Sequence, residues 1–261
     1  MKLDTNALLR GSGRKTTVDI RPLASQADLR ACVALQRRTW GEDFADVVPG
    51  SILKIAARLG GIVAGAFDRG GTLLGFVFGI TGVEHGGIVH WSHMLGVTPE
   101  AQNQGIGRGL KEFQRLAVAK VGAKTIYWTF DPLVARNAHL NINVLGVRAT
   151  DYVQDMYGDS TSPLHRGIGT DRLIVAWPVD DASVEARRRE IASQTEGRET
   201  IRIEIPGDIA AMQLSDMAGA RDWRERTRAA FQKALAQGYV IQGFRVDADA
   251  ENCYYLLRRN P

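Results

Sequence analysis

The sequence has little that would support a disulfide-bonded, metal-binding or membrane-spanning protein. It contains only two cysteines, Cys32 and Cys253, which lie far apart in 261 residues. We therefore expect two reduced, inert thiols and no disulfide. No cysteine–histidine spacing typical of a metal site is present, so no metal is expected. No apolar run approaches the length of a membrane span, and the polar first residues lack the apolar core of a signal peptide. These absences predict a cytoplasmic protein without a membrane partner.

Positive charge is too sparse to indicate a nucleic-acid-binding protein. The formal net charge is +4, and hydrophobic and charged residues make up 44% and 24% of the chain, as in ordinary soluble domains. This mildly basic balance suits an anionic ligand. The run Arg187–Arg189 is interpreted as the solvated face of a linker helix. Nucleic acid remains an alternative that salt-sensitive binding would be needed to support.

Hydrophobic periodicity and turn signals predict the order β-α-α-β-β-β-α-β-α-β-β over residues 17–178. Ser25 and Asp28 form a capping box ahead of the first helix. The sequence DRGG joins two apolar strands as a hairpin, and a later helix ends at Gly146. This order predicts the class α/β (α+β), a mixed sheet with helices on both faces.

Composition divides the chain further. Residues 1–16 are expected to be a flexible N-terminus, 17–179 the main domain, and 180–200 a linker almost free of large apolar residues. Residues 201–261 read as strand, helix, strand, strand. We expect this small β-α-β-β extension to pack on the main domain or to form a subunit contact, with a homodimer as one arrangement.

Three glycines, Gly105, Gly107 and Gly109, lie between a predicted strand and a predicted helix. Such a turn directs backbone N–H groups and the positive end of the helix toward one point, where a phosphate can bind. The lysine-containing P-loop pattern is absent, and the spacing and position differ from the Rossmann fingerprint. A plain turn is the alternative.

The turn and its flanks resemble a known family. The segment QNQGIG (Gln102–Gly107) matches Gln/Arg-x-x-Gly-x-Gly/Ala, the pyrophosphate-binding motif of the GNAT superfamily of acyl-CoA N-acyltransferases. The longer segment HMLGVTPEAQNQGIGRGLKEF resembles the central signature of that family, and the resemblance covers roughly residues 17–178.

The resemblance implies a mostly antiparallel central sheet and transfer of an acyl group from acetyl-CoA or another acyl-CoA to a small-molecule amine or amino acid. A narrower resemblance, in TFDPLVARNAHLNINVLGV and the C-terminal extension, is to a subgroup of which some members are associated with N-succinylamino acid racemase pathways. That subgroup makes succinyl a second candidate acyl group.

The resemblance also implies which residues contact coenzyme A. Main-chain groups of Leu95 and Val97 would pair with the pantetheine arm, and the side chain of Asn137 would contact it; a helix cap beside Pro132 is the alternative role for Asn137. The predicted pyrophosphate-binding residues are Gln102, Asn103, Gln104, Gly105, Ile106, Gly107, Arg108 and Gly109.

Candidates for the general base precede this turn. His93, His90 and Glu84 lie on or just before the strand that leads to the turn, and histidine suits a base poised near neutral pH. His93 is preferred. Strand alternation places His90, Ser92 and Met94 on one face and Trp91, His93 and Leu95 on the other. The alternative for each histidine is a hydrogen-bonded structural role.

The usual proton donor is missing. Alignment on Gly146 places Ile142 where many GNAT enzymes carry a tyrosine. Tyr157 or Tyr152, both predicted on the next strand, could replace it, or the thiolate could leave with a proton from water. The missing tyrosine keeps a second hypothesis open, a GNAT-like module that binds acyl-CoA without turnover.

Overall fold

The computed structural model describes residues 17–158, 167–193, 200–246 and 252–259. The chain divides into two compact units, residues 1–127 and residues 128–261. The predicted flexible N-terminus, residues 1–16, and residues 194–199 of the predicted linker lie outside the described ranges.

The first unit is built on strands in the hydrogen-bonded order β1-β2-β3-β4-β5. The first three pairings are antiparallel, and β4 pairs with β5 in parallel. Its elements are β1 (Asp19–Pro22), α1 (Gln26–Trp40), α2 (Gly50–Arg58), β2 (Ile62–Phe67), β3 (Leu73–Glu84), β4 (Gly87–Val97), a 3₁₀ turn (Pro99–Ala101), α3 (Ile106–Val121) and the start of β5 (Thr125–Phe130).

Helices cover both faces of these strands because neighbouring strand residues point to opposite sides. On one face, side chains of α1 and α2 pack against Phe76 and Phe78 of β3. On the other, Ile106, Leu110 and Phe113 of α3 pack against residues that include Val77. The structure thus confirms the predicted mixed, mostly antiparallel sheet between helical layers.

The capping box that the sequence predicts at α1 is present and extended by an arginine. The hydroxyl of Ser25 accepts a hydrogen bond from the Asp28 N–H at 3.0 Å, and the Asp28 carboxylate accepts one from the Ser25 N–H at 3.1 Å. Arg21 donates to both oxygens of the same carboxylate, at 2.9 and 3.0 Å. The Arg21 guanidinium in particular holds the pKa of Asp28 well below its usual range.

The second unit contains the order β5-β7-β6 and a separate antiparallel sheet in the order β8-β10-β9. The predicted elements are present, with one short helix more than expected, α6. The elements are the end of β5, α4 (Ala135–Ala138), a π-helical turn (His139–Leu145), β6 (Arg148–Val153), β7 (Arg172–Pro178), α5 (Asp181–Ala192), β8 (Ile201–Pro206), α6 (Ile209–Ser215), α7 (Met217–Ala236), β9 (Tyr239–Val246) and β10 (Asn252–Arg259).

Within the second unit, the C-terminal elements are held by buried polar contacts. Arg224 of α7 donates to the carboxylate of Asp131 at 2.6 Å, and the Tyr255 hydroxyl donates to the Pro132 carbonyl at 2.8 Å. The prediction that the Arg187–Arg189 run of α5 is solvated is wrong for Arg187. Its side chain is buried and donates to the Ile241 carbonyl at 3.1 Å. The backbone acceptor on β9 compensates the burial of this guanidinium.

Among the helices of the described ranges, none combines the length and apolarity that a membrane crossing requires.

Replacing Asp28 with asparagine should lower the free energy of unfolding by about 1 to 2 kcal/mol at pH 7, because charge-assisted hydrogen bonds to Arg21 and the cap are weakened. The folded pKa is depressed, so this stabilisation is complete above the ordinary pKa of 3.8 and declines as the pH falls below it. Urea unfolding at pH 7 and pH 3 should therefore show a smaller gap at pH 3. Asp222→Asn, which breaks an exposed ion pair on α7, is the control and should change stability little.

Candidate functional site

The turn between β4 and α3 is held by backbone conformation and two glutamines. Asn103 and Gly105 adopt the left-handed conformation, with φ of 60° and 79°, which asparagine and glycine tolerate best. The Gln102 amide donates to the Val97 carbonyl at 3.2 Å, and the Gln104 amide donates to the Glu100 carbonyl at 3.0 Å. These glutamines therefore fix the turn against the end of β4 and the 3₁₀ turn.

The N-terminus of α3 presents donors that the helix does not satisfy. Gly105 is the N-cap and supplies no side-chain cap. The first helical bond runs from the Gly109 N–H to the Gly105 carbonyl at 2.9 Å, so the N–H groups of Ile106, Gly107 and Arg108 have no intrahelical acceptor. Among the residues that the structure describes, the Nε of Arg108 also has no hydrogen-bond partner although it is buried. Donors and positive charge together suit an anion.

Gly107 is not required by the packing of the protein itself. A Cβ at this position would lie 3.9 Å from side-chain atoms of Leu95 and Val97, an ordinary van der Waals distance. A glycine here therefore leaves space beside the helix N-terminus that a ligand can approach closely.

The backbone of β4 faces two directions next to this turn. The Thr98 N–H donates to the Leu74 carbonyl of β3 at 2.8 Å. Because antiparallel bonds alternate, the main-chain groups of Leu95 and Val97 point away from β3. β4 pairs in parallel with β5 at His90 and Trp91. The main-chain groups of Leu95 and Val97 face away from β3, which is the direction that an extended ligand added as a strand would use.

A β-bulge in β4 changes which side chains share a face. Met94 pairs with Phe78 and Ser92 pairs with Gly79, so His93 is an extra residue with no partner on β3. The predicted alternation is wrong beyond this point because a bulge inserts one residue into the strand.

The side chains on the two sides of the bulge show the reversal. His90 and Ser92 contact α3, but Met94 packs in the core formed by α1 and α2, and Leu95 packs on the α3 side. The side chain of His93 consequently lies with those of α1 and α2. Its ring contacts that of Phe78 edge-on, with 5.9 Å between the ring centroids.

His93 has the surroundings of an available base. The residue is exposed, and its ring makes no hydrogen bond within the described part of the chain. The surrounding protein lowers its pKa below 6.5, while the negative charge of Asp46 partly opposes that shift. His93 is therefore neutral at pH 7 and its ring nitrogens are able to accept a proton.

His90 has a structural environment instead. It is fully buried, with Nδ1 2.9 Å from the Thr81 hydroxyl and Nε2 3.1 Å from the Gln114 amide. The Thr81 hydroxyl donates to the Gly60 carbonyl, so it accepts from the Nδ1–H of His90. Burial, and to a smaller extent Lys111, lowers the pKa of His90 to about 4. Both ring nitrogens are occupied.

Glu84 lies at the exposed tip of the β3–β4 hairpin, where it pairs with Gly87. It is five residues along β3 from Gly79, which faces the bulge; at about 3.4 Å per residue this is roughly 17 Å. Glu84 and His93 therefore do not serve the same reacting atom.

The remaining predicted residues belong to the second unit. Asn137 lies in α4, and its side-chain amide has no hydrogen-bond partner within the described residues. The predicted alternative, a cap, is not observed, because Val134 occupies the N-cap position without a side-chain cap. Its amide is thus free to bind a ligand.

The sequence predicted that Tyr157 lies on strand β6, and this prediction is wrong. Tyr157 lies in the turn that follows β6. It is 43% exposed, and its hydroxyl lies 3.0 Å from that of Thr129. Tyr152 is buried, donates to Asp171, and has a pKa raised mainly by burial and then by that carboxylate. Of these two tyrosines, Tyr157 is therefore the one whose phenol is accessible to solvent. Ile142, at the expected tyrosine position, is fully buried.

Sequence reasoning missed the polar side chains beneath β4. Lys111 and Gln114 of α3 are buried, 2% and 0% exposed. Charged and amide side chains on an amphipathic helix indicate a solvated face, and nothing in their spacing signals burial. No group of three or more potential metal-ligating side chains was found among the described residues.

The sequence matches no protein-family model and no curated protein. Solved structures do match the fold. A protein from Desulfovibrio desulfuricans, described as an acetyltransferase of the GNAT family, is 16% identical with a TM-score of 0.50, covering 63% of this chain and 100% of that one. An N-acetyltransferase from Staphylococcus aureus Mu50 is 14% identical with a TM-score of 0.50, covering 63% and 99%.

Identities this low establish architecture and leave the chemistry to the residues of the site. The match extends over nearly all of each solved chain and about two thirds of this one. The chain therefore contains the fold of the GNAT acetyltransferases.

Proposed function

We propose that the protein is an acyl-CoA-dependent N-acyltransferase that moves an acetyl or succinyl group from coenzyme A to the amine of a small molecule or amino acid. The observation that carries this proposal is the uncapped N-terminus of α3 beside the outward-facing edge of β4, in a GNAT fold. A cradle for an anion and an edge for an extended arm are the two features that coenzyme A requires.

The donors at the start of α3 would bind the pyrophosphate. The N–H groups of Ile106, Gly107 and Arg108, which have no acceptor within the helix, would supply hydrogen bonds, and the Arg108 side chain would add positive charge. The outward main-chain groups of Leu95 and Val97 would pair with the pantetheine amides. The Leu95 N–H is the candidate to stabilise the oxyanion.

His93 is the proposed general base. Its neutral ring would take a proton from the acceptor ammonium, and the resulting neutral amine attacks the thioester carbon directly in a ternary complex. The sulfur leaves with the electron pair of the C–S bond and takes a proton from water, while the nitrogen loses its second proton to water as the amide forms. Cys32 is buried and its pKa is raised to about 12, mainly by burial, which supports direct attack over a covalent intermediate on that thiol.

One observation favours the alternative of a non-catalytic acyl-CoA-binding module. Ile142, fully buried, stands where many GNAT enzymes carry the tyrosine acid. Release of free thiol from acetyl-CoA on addition of amines separates the two functions, because a binding module consumes no thioester.

Thermal unfolding with coenzyme A, acetyl-CoA, succinyl-CoA, NADH and ATP tests the ligand class. A ligand that binds only the native state raises the melting temperature, by an increment that grows with its concentration over Kd. We expect stabilisation by the coenzyme A species alone, with the largest shift identifying the acyl group. A shift confined to NADH or ATP would refute the assignment.

Replacing Gly107 with alanine separates folding from binding. The added methyl fits the protein and removes a helical glycine, so stability should rise by up to about 1 kcal/mol. The same methyl occupies the approach of the pyrophosphate, so the Kd of coenzyme A should rise about 10-fold in a calorimetric titration. Gly82→Ala, in open space on β3, is the control and should leave that Kd unchanged.

Replacing His93 with glutamine should lower kcat/KM about 100-fold with any accepted amine, the scale of a lost general base. In the native protein, kcat/KM should rise with pH and level off above the pKa of His93, which lies below 6.5. The variant should lose that acidic limb. The control variant His85→Asn, at the exposed hairpin tip, should retain both the native kcat/KM and its rise with pH. If the pH dependence of kcat/KM is unchanged in the His93 variant, His93 is not the base.

A further inference from the structure

A buried polar network joins α3 to β4 directly beneath the bulge. Lys111 Nζ donates to the Ser92 hydroxyl at 2.9 Å and to the Gln114 carbonyl oxygen at 3.4 Å. The Gln114 amide in turn donates to His90 Nε2 at 3.1 Å, and His90 Nδ1 donates to Thr81. The network therefore spans from the middle of α3 across β4 to β3.

The network occupies space that a missing side chain provides. A Cβ on Gly79 would collide with His90 Nε2 and would lie 2.7 Å from the Trp91 carbonyl oxygen and 2.8 Å from Gln114 Nε2. Contacts this short are not tolerated, so Gly79 is a condition for the packing of the network. Gly79 is also the residue on β3 at which the register shifts.

The burial of Lys111 is expensive, because an amine removed from water loses its hydration. Its side chain is 2% exposed, burial holds its pKa well below the ordinary value, and its partners include the uncharged side chains of Ser92 and Gln114. An apolar side chain of similar length would pack without that cost. The lysine therefore has a role that packing alone does not explain.

Ser92 lies at the position where that role would act. It is the residue before His93, and it pairs with Gly79 of β3 at the point where the register shifts. A bulge residue has no ladder partner to fix it, so its direction depends on what holds its neighbours. On the α3 side the Lys111 bond holds Ser92; on the other side the ring of Phe78 contacts His93.

We propose that Lys111 and Ser92 are positioning residues for His93: their hydrogen bond fixes the bulge of β4 against α3, and so aims the imidazole into the face formed by α1 and α2. The inference rests on the proposed role of His93 as base. It connects the proposed pyrophosphate-binding end of α3 to His93 through a hydrogen bond, because Lys111 lies about one turn beyond Arg108 on the same helix.

The test uses Lys111→Met, Ser92→Ala and the double variant, with Lys120→Met as the matched control. Methionine keeps the length of Lys111 and removes the donor without leaving a buried charge. Lys120 is an exposed lysine on the same helix, so its substitution should change neither measurement below.

Two readouts distinguish positioning from simple stability. In kinetics at saturating amine, each single variant should lower kcat about 10-fold with KM for acyl-CoA within twofold of the native value, and the double variant should be no worse than either single one. In an NMR titration of the His93 ring protons, the pKa should move toward 6.5 in both variants, because the ring leaves its packed position.

Failure of this inference differs from failure of the proposed function. The NMR titration needs no turnover, so an unchanged His93 titration in folded Ser92→Ala protein overturns the inference whether or not the protein is an enzyme. Unchanged kcat with a shifted titration overturns the positioning role in catalysis. If Lys111→Met does not fold, Ser92→Ala, which keeps the Lys111–Gln114 contact, decides by the same two readouts.

Discussion

The candidate site of the first unit depends on one extra residue in β4. Without the bulge at His93, simple alternation would have placed Met94 with His90 and Ser92 against α3, and Leu95 on the opposite face. With it, residues on both sides of the bulge, Ser92 and Leu95, face α3, although they are three positions apart. The first half of β4 carries polar groups that bind to α3, and its second half carries Leu95 and Val97 against the same helix while their backbone faces outward. A small change of register thus divides one strand between a polar anchor and a ligand edge.

Local signals predicted much of this architecture because they depend on residues close in sequence. The capping box at Ser25 and the turn at Gly105 are satisfied by atoms within a few residues, and both occur as predicted. The bulge was not predictable in this way, because it depends on whether β3 offers a partner for each residue of β4. Gly79, whose missing side chain leaves room for the polar network beside the bulge, has nothing in the sequence that distinguishes it from other strand glycines.

The sequence also failed to predict that certain charged side chains are buried, and the cases share one physical cause. Charged side chains on a helix usually face solvent, yet Lys111 and Arg187 are buried. Each donates to an acceptor on an element remote in sequence, Ser92 for Lys111 and Ile241 for Arg187. Hydrogen bonds to such acceptors compensate desolvation, and one sequence does not reveal which acceptors approach. For the same reason, the sequence did not show that the ring of His90 is hydrogen-bonded and buried while that of His93 is exposed, the difference on which the proposal of His93 as base relies.

The arginines of α7 have a consequence for where the chain can be shortened. Asp131 and Asp171 are 8% and 0% exposed, and Arg224 and Arg228 bind them at 2.6 and 2.7 Å. A protein truncated at residue 179 would keep the segments that carry both carboxylates but lose these two guanidinium groups. Asp131 would retain the more distant Arg172, at 3.6 Å, and Asp171 would retain the hydroxyl of Tyr152. The GNAT-like portion of this chain is therefore not a removable module: its second unit includes the C-terminal extension as part of its own charge balance.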